Sequence, residues 1–324
     1  MSIRIGIVGY GNLGRGVETA IGLNPDLELT GVFTRREPAS VPTASAQVHP
    51  MSDLDAPRND LDVLILCGGS RDDLPVQSPE LAARYSLVDS YDNHAHIPEH
   101  FAAVDAAARA AGTTAIISGG WDPGLFSLNR LFGEAVLPQG STYTFWGRGL
   151  SQGHSDALRR VPGVAQAAQY TIPSEDAIGR VRAGENPELS TRERHTRECF
   201  VVLAGGADPE AVRAEIVAMP DYFAPYDTTV HFIGAEEFAR DHQGMPHGGF
   251  VIRSAHTSEA NAQVIEYRLA LDSNPEFTAS VLVAYARAAA RMSAVGDHGA
   301  KTVFDVAPGL LSARTPGELR RDLL

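Results

Sequence analysis

Ile3-Arg4-Ile5-Gly6-Ile7-Val8-Gly9-Tyr10-Gly11-Asn12-Leu13-Gly14 is an aliphatic, β-branched run that breaks into glycines spaced GxGxxG, then opens an apolar helical repeat from Leu13 to Leu23. A strand before the glycines and a helix after them turn a weak string into a dinucleotide fingerprint. Gly9 permits the tight turn, Gly11 lets a pyrophosphate approach backbone amides at the helix N-terminus, and Gly14 lets helix and strand pack closely. A ligand-free βα turn is the plainer alternative.

Outward from this motif, short aliphatic runs recur at Leu27 to Phe33, Asp62 to Cys67, Ser86 to Asp89 and Thr114 to Ile117, with a second helical stretch from Ile97 to Ala111. Strands alternating with helices predict an α/β, Rossmann-type doubly wound parallel sheet. After Gly119 the rhythm changes. "TYTFWG", "AQYTIP", "ECFVVLAG", "TTVHFIG" and "GFVIRSA" read as strands parted by Gly and Pro turns, an α+β domain on a largely antiparallel sheet. Phe277 to Met292, apolar along one broad face after Asn274-Pro275, predicts a core helix returning to the first domain. The expected division is 1–120, completed by 275–324, and 121–274. Ser155 and Asp156 read as the cap of the "DALRR" helix.

The end of the second strand bears on the cofactor. About twenty residues past the glycines an NAD site usually carries Asp or Glu against the ribose. Here stand Thr34-Arg35-Arg36, and a planar guanidinium suits the 2′-phosphate of NADP. A solvated arginine pair is the bland reading. Ligands in such sheets bind outside the carboxyl ends of the strands, so Cys67-Gly68-Gly69-Ser70 and Asp89-Ser90-Tyr91-Asp92-Asn93 are expected to line the same crevice.

Composition narrows the class. The 324 residues are 44% hydrophobic, enough for substantial cores, and 27 basic against 40 acidic residues give a net charge of −13, which repels nucleic acid. No run of about 18 apolar residues offers a membrane helix. Only Cys67 and Cys199 are present, no signal segment is read, and the expected location is the cytoplasm.

"IGIVGYGNLGR", "CGGS", "DSYDNH", "SGGWDPG", "TFWGRGLSQGHSDALRR", "MPDYF", "GMPHGG" and "FDVAPGLL" occur in that order, and in them the chain resembles the meso-diaminopimelate D-dehydrogenase family over almost its whole length. The resemblance implies NADP-dependent oxidative deamination of the D-centre of meso-2,6-diaminopimelate to L-2-amino-6-oxopimelate and ammonia, in lysine and cell-wall precursor metabolism. It also implies a homodimer joined through the second domain. It places Asp92 and Asp122 at the reacting centre as catalytic carboxylates, with Trp121 and Trp146 lining the pocket. It assigns Gln152, Gly153, Thr171, Arg197, His247 and Asn274 to the rest of the substrate. The cofactor set is Gly9, Tyr10, Gly11, Asn12, Leu13, Gly14, Thr34, Arg35, Arg36, Cys67, Gly68, Gly69, Ser70, Ser90, Tyr91 and Asp92, with Gly119 and Gly120 of "SGGWDPG". Without the resemblance, Asp122 before a proline reads as a turn, Trp as core, Arg197 as a surface charge and His247 as a loop residue.

Other chemistries have weaker support. His94, His96, His242 and His247 match no standard zinc spacing, and no metal is expected. Ser151, His154 and Ser155 lack a GxSxG elbow. Another NADP-dependent amino-acid or semialdehyde dehydrogenase would keep the glycine loop without "SGGWDPG" and "GMPHGG". A non-catalytic NADP sensor would have no use for paired aspartates beside an Arg/His/Asn set.

Overall fold

The computed structural model describes residues 2–220 and 222–324. In chain order the first part carries strands β1 Ile3–Val8, β2 Leu27–Thr34, β3 Val48–Pro50, β4 Val63–Leu66, β5 Leu87–Asp89 and β6 Thr114–Ile116, and helices α1 Asn12–Gly22, α2 Leu74–Ala82, α3 Ile97–Ala111 and α4 Leu125–Val136. The middle carries β7 Gly140–Trp146, β8 Gly149–Leu150, β9 Val164–Pro173, β10 His195–Leu203, β11 Asp227–Phe232, β12 His247–Ser258 and β13 Asn261–Leu271. Its helices are α5 Gln152–Arg159, α6 Glu175–Arg182, α7 Thr191–Arg194, α8 Pro209–Ala218 and α9 Ala235–Asp241. The chain ends with α10 Asn274–Ala294, β14 Gly299–Lys301 and α11 Pro316–Leu323. Two compact units result: residues up to Leu128 with Pro275–Leu324, and Asn129–Asn274.

In the first unit seven parallel strands run in the order β14-β6-β5-β4-β1-β2-β3. Successive side chains alternate faces, so β4 sends Val63 and Ile65 into one core and Leu64 and Leu66 into the other. A sheet covered on both faces explains why such strands read as unbroken aliphatic runs. The first core includes Ile5, Ile7, Val17 and, from α10, Leu282, Tyr285 and Ala286. Close packing of α1 on α10 requires Gly16, where a Cβ would lie 3.0 Å from that of Ala279.

The second unit holds a four-stranded sheet, β11-β10-β9-β8, and a three-stranded sheet, β13-β12-β7. Among the strands of these two sheets in the described residues, β10 and β11 pair in parallel and the others antiparallel. Helix α5 is capped by Ser151, whose side chain accepts from His154 N, which corrects the expected cap. Ser155 lies inside the helix, donating to the Ser151 carbonyl at 2.7 Å and accepting from Gln169 N at 2.9 Å, and Asp156 follows it.

Candidate active site

The glycine loop has the geometry its spacing requires. Gly9 adopts φ +89°, in the left-handed region that glycine tolerates. A Cβ at Gly14 would overlap the Gly9 carbonyl, whereas one at Gly11 would meet no atom within 4 Å, so the backbone there is open to a ligand. Asn12 begins α1 and accepts from Arg15, and Leu13 packs on the first core. Thr34, at the end of β2, is buried, and its Oγ1 accepts from Arg36 N at 3.1 Å. The Arg36 guanidinium donates to the Tyr10 carbonyl at 2.7 Å, and exposed Arg35 pairs with Asp73 at 2.6 Å. A cavity of about 480 Å³ opens beside Arg35, Asp73 and Gln77.

Tyr10 is fixed at its far end too, because its hydroxyl donates to Glu18. Glu18 also accepts from the backbone amides of Ala44, Ser45 and Ala46 at 2.9–3.2 Å. Burial would raise this carboxyl, but those donors together hold it below its ordinary range. Burial and the Glu18 bond push Tyr10 up to about 12. Glu18 ties the glycine loop to the segment after β2, a role the sequence analysis missed. A charged residue on the buried face of an amphipathic helix was the available signal.

The ends of β4, β5 and β6 are linked to one another. Cys67 N donates to the Val8 carbonyl at 2.8 Å, and Gly69 N to Asp73 at 2.9 Å; a Cβ at Gly68 would press on the Asp73 side chain. Ser70 Oγ donates to the Ser90 carbonyl at 3.3 Å and accepts from Asp92 N at 3.1 Å. Asp89 was expected to line the crevice, yet it is wholly buried, with four donors on its carboxylate. One of them is the amide of Ser118, which sits at φ 56°, a conformation that costs a non-glycine residue roughly 1–2 kcal/mol. Gly119 N reaches the Asp89 carbonyl at 2.8 Å, and Leu125 N the Gly120 carbonyl at 3.0 Å. Trp121 is buried, edge-on to Phe126 at 5.2 Å, and Asp122 precedes a cis Pro123.

In the second unit, register assembles the expected residues. Gly149, Thr171 and Arg197 stand side by side on β8, β9 and β10. Arg197 is buried, donates to the Thr171 hydroxyl, and lies 3.8 Å from the centre of the Tyr226 ring. Its Nε is buried without a partner, and burial lowers the guanidinium below its ordinary value. A side chain at Gly149 would collide with the His247 ring. Next to His247, Met245 accepts from Gln152 Nε2 at 3.0 Å through sulfur and from Asn274 N at 2.9 Å through its carbonyl. Gly153, in the first turn of α5, has open space at its Cα.

Trp146, which pairs with Gly249, is 39% exposed. Its backbone N–H donates to His195 Nε2 at 2.8 Å, and its indole stacks on that imidazole at 5.4 Å. His195 and His154 are both pushed down to about 4 by burial, with Arg197 adding to each and Arg194 to His195. His195 and Tyr226 were not read from sequence; a histidine two residues before Arg197 on one strand face was the only hint.

The expected cofactor residues and Asp92, Trp121 and Asp122 therefore lie at strand ends of the first unit. Trp146, Gln152, Gly153, Thr171, Arg197, His247 and Asn274 lie in the second, at the end of β7, the start of α5, on β9 and β10, and at the starts of β12 and α10.

A glycine loop of this geometry, two arginines at the end of β2 and carboxylates at later strand ends define a nicotinamide-dependent oxidoreductase. Residues 120–273 match the family model "Diaminopimelic acid dehydrogenase C-terminal domain". The chain is 62% identical to meso-diaminopimelate D-dehydrogenase of Ureibacillus thermosphaericus, over 99% of both chains. It superposes on the Corynebacterium glutamicum diaminopimelate dehydrogenase complexed with diaminopimelate at TM-score 0.93, 49% identity, covering 100% of this chain and 99% of that one. A Clostridium tetani enzyme crystallised with the same compound superposes at TM-score 0.95, 51% identity, with full coverage of both. That chain is a mutant whose six replaced residues, Gln, Thr, Arg, Pro, His and Asn, have the types and spacing of Gln152, Thr171, Arg197, Pro246, His247 and Asn274. The chain belongs to the meso-diaminopimelate D-dehydrogenase family.

Proposed function

We propose that this protein oxidises the D-configured α-carbon of meso-2,6-diaminopimelate with NADP, releasing ammonia and L-2-amino-6-oxopimelate, reversibly, in lysine and cell-wall precursor metabolism. The observation that carries the substrate reading is buried Arg197, with an Nε that has no partner and a hydroxyl partner in Thr171, whose other strand neighbour Gly149 abuts the His247 ring. A buried guanidinium with spare donors is suited to a carboxylate. The set of residue types replaced in the C. tetani protein supports the same grouping.

The glycine loop fits a dinucleotide, since Gly11 leaves room at the backbone and Gly14 closes the helix onto Gly9. Arg35 and Arg36 support a 2′-phosphate, and an engineered D-amino acid dehydrogenase bound to NADP+ is 47% identical with TM-score 0.87, each chain fully covered. When bound, the cofactor accepts the hydride. Asp92 and Asp122 orient the substrate ammonium, either one can take its proton before hydride departs, and water then hydrolyses the imine. Trp121 and Trp146 exclude bulk water around the pimelate chain. Thr171, Arg197, His247 and Asn274 hold the L-centre, with Gln152 and Gly153 adding amide contacts.

We further infer a homodimer through the second unit, supported by exposed Leu131, Phe132 and Val136 on α4 and Val264 and Ile265 on β13. Two unpaired cysteines support a reducing cytoplasm. No helix among the described residues is long and apolar enough to cross a membrane. Mixing protein, meso-diaminopimelate and NADP tests the reading. Ammonia and NADPH in equal amounts are expected; neither forming would refute it.

A further inference from the structure

We propose that Asp89 is a positioning residue for this reaction: one buried carboxylate sets both turns that carry the carboxylates and indole assigned to the D-centre. The proposal rests on that assignment of Asp92, Trp121 and Asp122. Asp89 ends β5 and has no exposed surface. Its Oδ1 accepts from Tyr91 N at 3.1 Å and Ser118 N at 2.9 Å. Its Oδ2 accepts from Ser78 Oγ at 2.6 Å and faces His100 Nε2 at 2.8 Å, and its own carbonyl accepts from Gly119 N at 2.8 Å.

These bonds converge from two separate turns. Tyr91 immediately precedes Asp92, and Ser118-Gly119 lead into Gly120-Trp121-Asp122. The imidazole of His100, from α3, stacks on the Tyr91 ring at 4.1 Å, so the first turn is held through side chain as well as amide. The Ser118 amide reaches this acceptor from a left-handed backbone, φ 56°. A carboxylate presents acceptors to all four donors and no hydrogen of its own. Alanine strands two buried amides and frees both turns, whereas asparagine keeps Oδ1, and the Ser78 hydroxyl can turn from donor to acceptor and the His100 ring can do so by changing tautomer.

Small displacements at reacting groups cost rate rather than binding, which separates positioning from general support of the fold. The measurements are Tm, the NADP dissociation constant, and kcat and KM for meso-diaminopimelate, on the full-length wild type, Asp89→Ala, Asp89→Asn and His100→Phe. For Asp89→Ala kcat is expected to fall about 30- to 100-fold while NADP affinity, which the same turns serve through Tyr91 and Gly119, weakens by no more than about tenfold, and Asp89→Asn should bring both back to within about fivefold of wild type. A folded alanine variant with wild-type kcat would overturn the proposal, as would parallel loss of kcat and NADP binding without rescue by asparagine. If the alanine variant does not fold, His100→Phe carries the test, since it keeps a ring against Tyr91 and removes one donor. About a fivefold lower kcat with a smaller change in NADP affinity is expected there, and wild-type kcat would overturn the proposal. A wild-type protein inactive on meso-diaminopimelate would instead refute the functional reading.

Discussion

Thr171 and Arg197 stand directly opposite each other on β9 and β10, and the arginine donates to the threonine hydroxyl inside the second unit. The threonine fixes one end of the guanidinium, leaving Nε for another acceptor. Arg197→Met should raise KM for meso-diaminopimelate by roughly ten- to a hundredfold, the worth of one charge-assisted bond of about 1.5–3 kcal/mol. Steady-state kinetics should show KM for NADP unchanged; an equal rise in both would remove Arg197 from the substrate. Arg197→Lys should recover little, because an ammonium lacks the planar fork.

Arg36 reaches back to the Tyr10 carbonyl, while exposed Arg35 pairs with Asp73 at the surface. Replacing both with alanine should raise KM for NADP about ten- to a hundredfold and change that for NAD less than about threefold. Equal effects on the two cofactors would defeat the phosphate assignment. Arg35→Ala alone should be the cleaner probe, since it leaves the Tyr10 tether intact.

What the sequence disclosed follows from where its information is local. β1, β2 and β4 are buried on both faces and read as aliphatic runs, and α1 and α3 keep one apolar stripe. β3 and β14 are three residues long, too short for a pattern, and β13 is exposed along most of its length. α2 carries Pro75 and Pro79, which read as breakers, though its N-terminal turn absorbs the first. Arg197 reads alone as a surface charge because its burial comes from cross-strand register and the Tyr226 ring. Asp89 was misplaced in the crevice for a similar reason: its partners come from residues 78, 91, 100 and 118. The family strings supplied the grouping that local pattern lacked.

Asp122 joins the turn after Gly119-Gly120-Trp121, ahead of Pro123. Asp122→Asn keeps the side-chain size and removes the carboxylate charge proposed to act at the D-centre, so kcat should fall about a hundredfold while KM for NADP stays constant. Turnover equal to wild type would take Asp122 out of the chemistry.

His195 accepts the Trp146 N–H through a ring that burial holds neutral, with its pKa pushed down to about 4. Its unfolded value is near 6.5, so between about pH 6.5 and 4 the unfolded chain binds the extra proton and stability falls as pH falls. The loss for this side chain is of order 3 kcal/mol, complete near pH 4 and absent above about pH 6.5. His195→Gln, which keeps an acceptor without the titration, should make the fall of Tm across that window shallower by about half, His154 keeping its own share. The same slope in variant and wild type would assign the acid sensitivity to other groups.

In the proposed reaction a D-configured carbon reacts while an L-configured one is held. Initial rates of NADP reduction with the meso, L,L and D,D isomers of diaminopimelate test this most directly. The expected result is rapid reduction with meso, none with L,L and slow turnover with D,D, whose distal centre mismatches the Thr171, Arg197, His247 and Asn274 set. Reduction with the L,L isomer at the meso rate would contradict it.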